Sequence, residues 1–490
     1  MEQKLHKQAT LYYGGEETEH NYEYERHKIQ PTKSQQTTLT NTQSTRCAIY
    51  ADFPGKFRDS LYFMIKTDVV DVEVTVTTWQ SELTLSTLAN SIVSAVAYSI
   101  AKENVETNFN LTELDMSLVM VVINSYLDEN GATHTIYEEL LQLILSSDNL
   151  QASIRFICLQ MLLNSSIKTL KTEIFPYPYY EKILQVIEMQ GRNIKYLNLK
   201  GIWLKEDNMG LMFRITKSLQ NLVKLVIPFI ATDDLLFHIK LYQRNLLHLD
   251  ISGDSDITDI GIEYLALSEA SQKLTVVDIG TPGEESIDHD DIATLLMHMP
   301  NLKSLGSYSF VGREMYHVLK RIGTQLRHLT CMKGKNIMDV GIIIQNCPNL
   351  IDLDFYMMDE LACLTDENFN QLQSFEILNS PMSATVLRNL IQNCHRSIRR
   401  LAVDVLPFTD YEMASILLDY DFNKLEDIWF TSASHLTMAT IELLMDRLPE
   451  LLSIGQLSGW NLNGDDIHLL KGILKSGNSC LALSPANLYS

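Results

Sequence analysis

The sequence has no C-x-x-C pair, no glycine-rich loop of the G-x-G-x-x-G or G-K-[ST] kind, and no G-x-S-x-G elbow. Without them the chain lacks the usual marks of a zinc ribbon, a nucleotide cradle or a hydrolase nucleophile. No window approaches the ~18 consecutive apolar residues of a membrane span, and the opening MEQKLHKQATLYYGG lacks the apolar core of a secretory signal. Cytoplasmic or nuclear residence is therefore expected, with no membrane partner. Basic residues are scarce, 39 against 61 acidic, giving a net charge of −22. That balance disfavours a general phosphate-binding surface, so no nucleic-acid partner is expected. Seven cysteines are scattered and odd in number, which reads as reduced core thiols rather than a disulfide framework.

What the chain does have is a repeat. In Asn245 to Leu267, NLLHLDISGDSDITDIGIEYLAL, Leu246, Leu249 and Ile251 fit a short strand. Ser252, Gly253 and Asp254 end it with turn formers, and Ile260, Ile262, Leu265 and Leu267 continue as a helical stripe behind Asp259, a candidate cap. A unit this small cannot bury its own apolar face, so neighbours must. The first apolar place of the same L-x-x-L-x-L pattern recurs at Ile167, Ile194, Leu222, Leu246, Leu274, Leu302, Leu326, Leu350, Leu372, Ile398, Leu425 and Leu451. Intervals run from 22 to 28 residues, and every fourth place, from Leu170 to Ile454, is apolar. Proline precedes several strands, as in Met299-Pro300-Asn301-Leu302 and Cys347-Pro348-Asn349-Leu350, where it stops the preceding helix.

Ahead of the repeats, residues 1–46 are polar and read as a disordered tail. Residues 47–160 read as a strand at Val70 to Val76 followed by helices, from Leu83 to Ala101, Leu114 to Leu127, Thr135 to Leu145 and Leu150 to Leu163. This block is expected to cap the first repeat. Residues 161–480 form the solenoid and 481–490 a short tail.

Over roughly residues 161–477 the chain resembles the leucine-rich-repeat superfamily, most of all its cysteine-containing and ribonuclease-inhibitor-like subclasses. Phrases such as Cys347-Pro348-Asn349-Leu350 and Leu249-Asp250-Ile251-Ser252 carry the likeness. The resemblance implies an α/β solenoid with parallel strands on a concave face and helices on a convex one. The Asn or Cys such repeats place three residues after the sixth position is Ile202, Asp254 or Met358 here, so an irregular solenoid is expected. Proteins of this kind are often F-box substrate receptors of cullin-type ubiquitin ligases, and the order of segments is similar, although no F-box motif is recognisable. The stretch from Leu88 to Ile92 is similar to an elongin-binding box with Ile92 in place of its Cys. These likenesses imply a protein-interaction module: a ligase subunit that recognises a protein substrate and meets a cullin adaptor through residues 83–163, or a non-ligase scaffold or inhibitor.

No enzyme and no cofactor is expected. The densest ligand-type cluster, Asp288-His289-Asp290-Asp291, has consecutive side chains that diverge, and reads as a helix N-terminus. The remaining candidate site is the outer face of the strands, where third and fifth places alternate away from the buried fourth and sixth. The fifth places include Asp250, Asp278, Asp354, Glu376 and Trp429, and the third places include Arg400 and Asp427. These seven are the expected partner-binding residues, with a basic protein segment as the complement and Trp429 as an exposed apolar anchor. At the outward Asp250, Asp278 and Asp354, charge reversal is expected to disturb the fold little, with relief of like-charge repulsion working toward a more stable sheet.

Overall fold

The computed structural model describes residues 46–49, 63–66, 124, 127, 133–147, 150–204, 209–253, 257–280, 289–310, 312–365, 367–476 and 481–483. The expected tail, the strand at 70–76, the helix at 83–101 with Leu88 and Ile92, and most of the helix at 114–127 lie outside them. The chain divides into two units, residues 1–50 with 61–77, and residues 51–60 with 78–490. In the first, β1 (Arg46–Ile49) pairs antiparallel with β2 (Phe63–Lys66), a ribbon that the sequence pattern did not announce.

The second unit is the expected α/β solenoid. Its strands are β3 (Thr169–Lys171), β4 (Tyr196–Asn198), β5 (Lys224–Val226), β6 (His248–Ile251), β7 (Val276–Gly280), β8 (Ser304–Tyr308), β9 (His328–Met332), β11 (Asp352–Tyr356), β13 (Ser374–Leu378), β14 (Arg400–Val405), β15 (Asp427–Ser432), β16 (Ser453–Gly455) and β17 (Ala482–Leu483). They form one 13-stranded parallel sheet in chain order. The last strand lies beyond the final sequence marker, Leu451. Two further short strands, β10 (Ile337–Asp339) and β12 (Glu360–Ala362), make a separate parallel ribbon.

Helices alternate with these strands: α1 (His134–Leu145), α2 (Ala152–Leu162), α3 (Tyr180–Gln190), α4 (Met209–Ser218), α5 (Asp233–Tyr242), α6 (Asp259–Ala266), α7 (His289–Met297), α8 (Gly312–Ile322), α9 (Val340–Asn346), α10 (Ala384–Cys394), α11 (Asp410–Asp419), α12 (Met438–Arg447) and α13 (Gly464–Ser476). The core lies between the two layers. Every fourth-place residue is at most 4% exposed, and the first-place residues are as buried except Leu451, which is half-buried. Burying one such side chain stabilises by about 1.5–3 kcal/mol, so the strand register is fixed by the apolar row.

The return to each strand is a turn closed by a backbone bond, such as Leu302 N–H to the Met299 carbonyl at 3.1 Å and Leu350 N–H to Cys347 at 3.2 Å. Pro300 and Pro348 sit where a turn wants a fixed φ. The asparagine after each proline reaches to the preceding unit: Asn301 Nδ2 donates to the Gln272 carbonyl at 2.7 Å and Asn349 Nδ2 to Thr324 at 2.8 Å. At the other end of the strand, Ile202, Phe310 and Met358 fill the place of the family's Asn or Cys, and all three are buried. Backbone takes over the polar work there. Ser309, Lys333 and Met357 adopt left-handed φ of 62°, 51° and 54°, and their N–H groups donate to Met332, Tyr356 and Leu378 of the next strand. Gly253, at φ 106°, serves the same place in β6, where a Cβ would stand 2.6 Å from the Pro228 carbonyl.

Caps set the helix starts. Thr258 rather than Asp259 caps α6, its hydroxyl accepting from Ile260 N–H at 3.2 Å. Its own N–H and hydroxyl donate to Asp233 Oδ1 and Oδ2, at 2.7 and 2.6 Å, so the first residue of α5 anchors the cap of the next helix. Asp410 at the start of α11 holds Thr437 and Thr440 of α12 in the same way.

One unit departs from the pattern. Between β12 and β13 the described residues contain no helix, and Leu364 there is 83% exposed. Side chains of α10 tie this coil down: Asn393 Nδ2 donates to the Thr365 carbonyl at 3.2 Å, and Asn389 Nδ2 to Cys363 at 3.3 Å.

Candidate protein-binding face

The sheet carries its third and fifth places on the open side, in the register the sequence implies. Asp250 stands beside Asp278 on β6 and β7, and Asp354 beside Glu376 on β11 and β13. Arg400 and Asp427 are neighbours on β14 and β15, and Trp429 lies between Ala402 and Gly455. Asp354, Glu376, Arg400, Asp427 and Trp429 therefore occupy consecutive strands. Gly306 on β8 and Thr330 on β9 separate them from the Asp250 and Asp278 pair.

None of these carboxylates stands clear in solvent. Asp250, Asp278, Asp354, Glu376 and Asp427 are all half-buried, and only Arg400 is exposed. Their oxygens are engaged. Asp250 Oδ1 accepts from Ser252 N–H at 3.0 Å and its hydroxyl at 2.6 Å. Asp278 faces His248 Nε2 at 3.4 Å, and its Oδ1 leans over Gly306, where a Cβ would sit 2.0 Å away. The Thr330 hydroxyl donates to Asp354 Oδ2 at 3.3 Å. Glu376 accepts the Tyr356 O–H at 3.0 Å on one oxygen and meets Arg400 Nη2 at 3.3 Å on the other. Ser453 Oγ donates to Asp427 Oδ1 at 2.5 Å, and His328 pairs with Asp352.

Burial and like charge together shift two of these carboxyls and one neighbouring tyrosine. Burial, then the charge of Asp278, raises the Asp250 carboxyl above its usual range against the pull of Ser252 and Lys200. Burial, then Glu376, pushes Asp354 up to about 6, although Thr330 and Arg400 oppose this. Burial, then Asp354 and Glu376, raises Tyr356 as well. The carboxylates are thus packed and partnered, and burial beside like charge disfavours the ionised form at Asp250 and Asp354. The exposed anchor is corrected. Trp429 is half-buried, because its ring lies over Gly455, where a Cβ would meet Cε3 at 2.1 Å.

Sequence reasoning missed the seventh place, which the period of two also turns outward. Tyr356 sits there half-buried, as does the buried Tyr308, whose hydroxyl takes a bond from Lys333 Nζ at 2.5 Å. Extending the alternation two residues past the fifth place finds both. Of the acidic run at 288–291, α7 begins at His289. Among the described residues no group of three or more His, Cys, Asp or Glu side chains is placed to hold a metal ion. Nor is any helix among them long and apolar enough to cross a membrane.

No family model matches the chain, and neither does any curated protein. Among solved structures it is similar to that of the Rad7 and Elc1 complex in yeast, at 16% identity and a TM-score of 0.47, over 79% of this chain and 96% of that one. It is also similar to an internalin from Listeria monocytogenes, at 15% identity and a TM-score of 0.34, over 70% of this chain and 92% of that one. The mouse RP105/MD-1 complex gives 13% identity and a TM-score of 0.32, covering 66% and 64%. The fold stands on the strand register and not on these likenesses.

Proposed function

We propose that this leucine-rich-repeat solenoid binds a protein through its open sheet face, and that the bound surface is basic. The observation that supports this reading is the pairing of Asp354 with Glu376 on adjacent strands, one of them lifted to about 6. Like charges held this close cost stability, and a cation from a partner relieves the repulsion. Half-burial concentrates the field and steers a basic partner at a rate that falls as salt rises.

In its finer form the proposal makes the chain the substrate-recognition subunit of a cullin-type ubiquitin ligase, with residues 83–163 meeting the adaptor and the repeats meeting the substrate. The support is the resemblance and the order of segments in the sequence, a block read as helices followed by repeats. Affinity purification of the full chain tests it. A cullin with its adaptor is expected among the proteins recovered, and their repeated absence sinks the ligase role while leaving a scaffold or inhibitor that uses the same face. The face itself is tested by Asp278→Asn, Asp354→Asn and Glu376→Gln together, measured against the protein that co-purifies. Affinity at low salt is expected to fall by about tenfold or more, the scale of one lost charged contact. Unchanged affinity moves the binding surface off the sheet.

A further inference from the structure

The charge on the open face changes sign along the solenoid. In their third and fifth places β3, β4 and β5 present Thr169, Lys171, Tyr196, Asn198, Lys224 and Val226, with no carboxylate. From β6 to β15 the same two places hold Asp250, Asp278, Asp352, Asp354, Glu376 and Asp427, against the single arginine Arg400. One acid does follow β3: Glu173, neutralised by Lys171 Nζ at 2.5 Å and held by Gln142 Nε2 at 2.8 Å. Lys200, two residues past the fifth place of β4, is exposed and acts on Asp250 across the boundary. Lys224 completes the positive end.

We propose that this face binds one extended protein segment laid across the strands, its basic residues over β6 to β13 and its acidic residues toward β3 to β5. The inference rests on the reading of the face as a protein-binding surface and adds the partner's charge order. An extended chain suits the site because the outward places form straight rows from strand to strand, at about 4.8 Å per step. From β3 to β13 is eight steps in the sheet order, roughly 38 Å, the reach of about 12 extended residues. A segment of mixed charge meets repulsion at one end or the other, whichever way it lies. A segregated one meets it at neither.

Two synthetic peptides of equal composition test this, each of about 14 residues to span the rows. One carries its arginines in one half and glutamates in the other, and the second interleaves them. Binding is read by fluorescence polarisation with the full chain at low salt. The segregated peptide is expected to bind about fivefold tighter, a difference set by charge placement alone. Lys200→Glu with Lys224→Glu is expected to erase that advantage, and Lys200→Gln with Lys224→Gln to reduce it, with circular dichroism unchanged. Equal affinity of the two peptides overturns the orientation while leaving a basic partner in place. If neither peptide binds, yet the co-purified protein still loses affinity for the neutralised face, the extended-segment inference falls and the proposed function stands.

Discussion

Each strand of the sheet presents two opposite environments one residue apart. Fourth places such as Leu249, Val277, Leu305 and Leu353 are apolar and at most 1% exposed, and one could stand in for another with little change of volume. Fifth places such as Asp250, Gly306, Ala402 and Trp429 range widely in charge and in size. The buried row repeats because each member does the same job of packing on its neighbours. The open row varies along the same backbone, and at Asp250 and Asp354 burial beside like charge works against the ionised carboxylate. Uniformity on one side and discord on the other point to stability being made in the first row, which leaves the second to the proposed partner.

That contrast is testable by substitution, and the largest effect belongs to the buried row. Leu249→Ala and Leu353→Ala each leave a cavity in a fully buried column and are expected to cost about 2–5 kcal/mol in denaturant unfolding. Melts that match the parent would mean the register is wrong. Next comes the stitch between helix starts. Asp410→Ala removes the acceptor for Thr437 N–H, Thr437 Oγ1 and Thr440 Oγ1, at an expected loss of about 1–2 kcal/mol. Burial works to raise the Asp410 carboxyl, but the Thr440 and Thr437 bonds outweigh it and hold it below its usual range. A lowered folded pKa gives stability that is present in full above the unfolded value and lost as pH falls through the folded one. The gap between parent and variant should therefore close below about pH 4.

The open row should show the opposite sign. Asp354→Asn is expected to stabilise the protein by about 1 kcal/mol at pH 7, after allowance for solvent screening. Its folded pKa of about 6 is raised above the unfolded value, so its protonated form favours the fold. Stability of the parent should rise as pH falls from about 6 toward 4, and the rise should be smaller in the Asn variant, where Asp250 alone of the two raised carboxyls remains. A flat profile in both would show Asp354 to be an ordinary solvated acid. The smallest effect is expected at the turns, where Asn349→Ala loses one bond to the Thr324 carbonyl and about 0.5–1 kcal/mol. Hydrogen exchange at the adjoining turn amides checks that loss.

Both rows were legible in the sequence, since L-x-x-L-x-L sets the pleat and so fixes which side chains leave the core. What the pattern withheld was how the open side chains interact. Spacing placed Asp354 next to Glu376 but gave no depth, and depth decides whether a carboxylate is solvated or strained. It equally placed Trp429 outward without showing that Gly455 makes room for its ring. The interlocked caps left a trace, the Thr-Asp pairs at Thr232-Asp233 and Thr409-Asp410, which only a comparison of helix starts would have caught. The helix-free unit left one too: the interval from Leu350 to Leu372, at 22 residues, is the shortest in the series.

That unit also has a consequence for how the solenoid comes apart. In a linear array each unit is stabilised mainly by its two neighbours, so the weakest junction divides the cooperative whole. Where helix would pack on helix, this junction offers a coil held on the helix side by the asparagine bonds to the carbonyls of Cys363 and Thr365, by Phe369 N–H on the Asn393 carbonyl at 2.8 Å, and by the buried Cys363 and Phe369 side chains. Opening should begin there, separating a block that ends at β12 from one that starts at β13. With Leu364 bare, the peptide bonds beside it lie open to a protease, and two folded fragments that part between β12 and β13 are the expected product of a cut there.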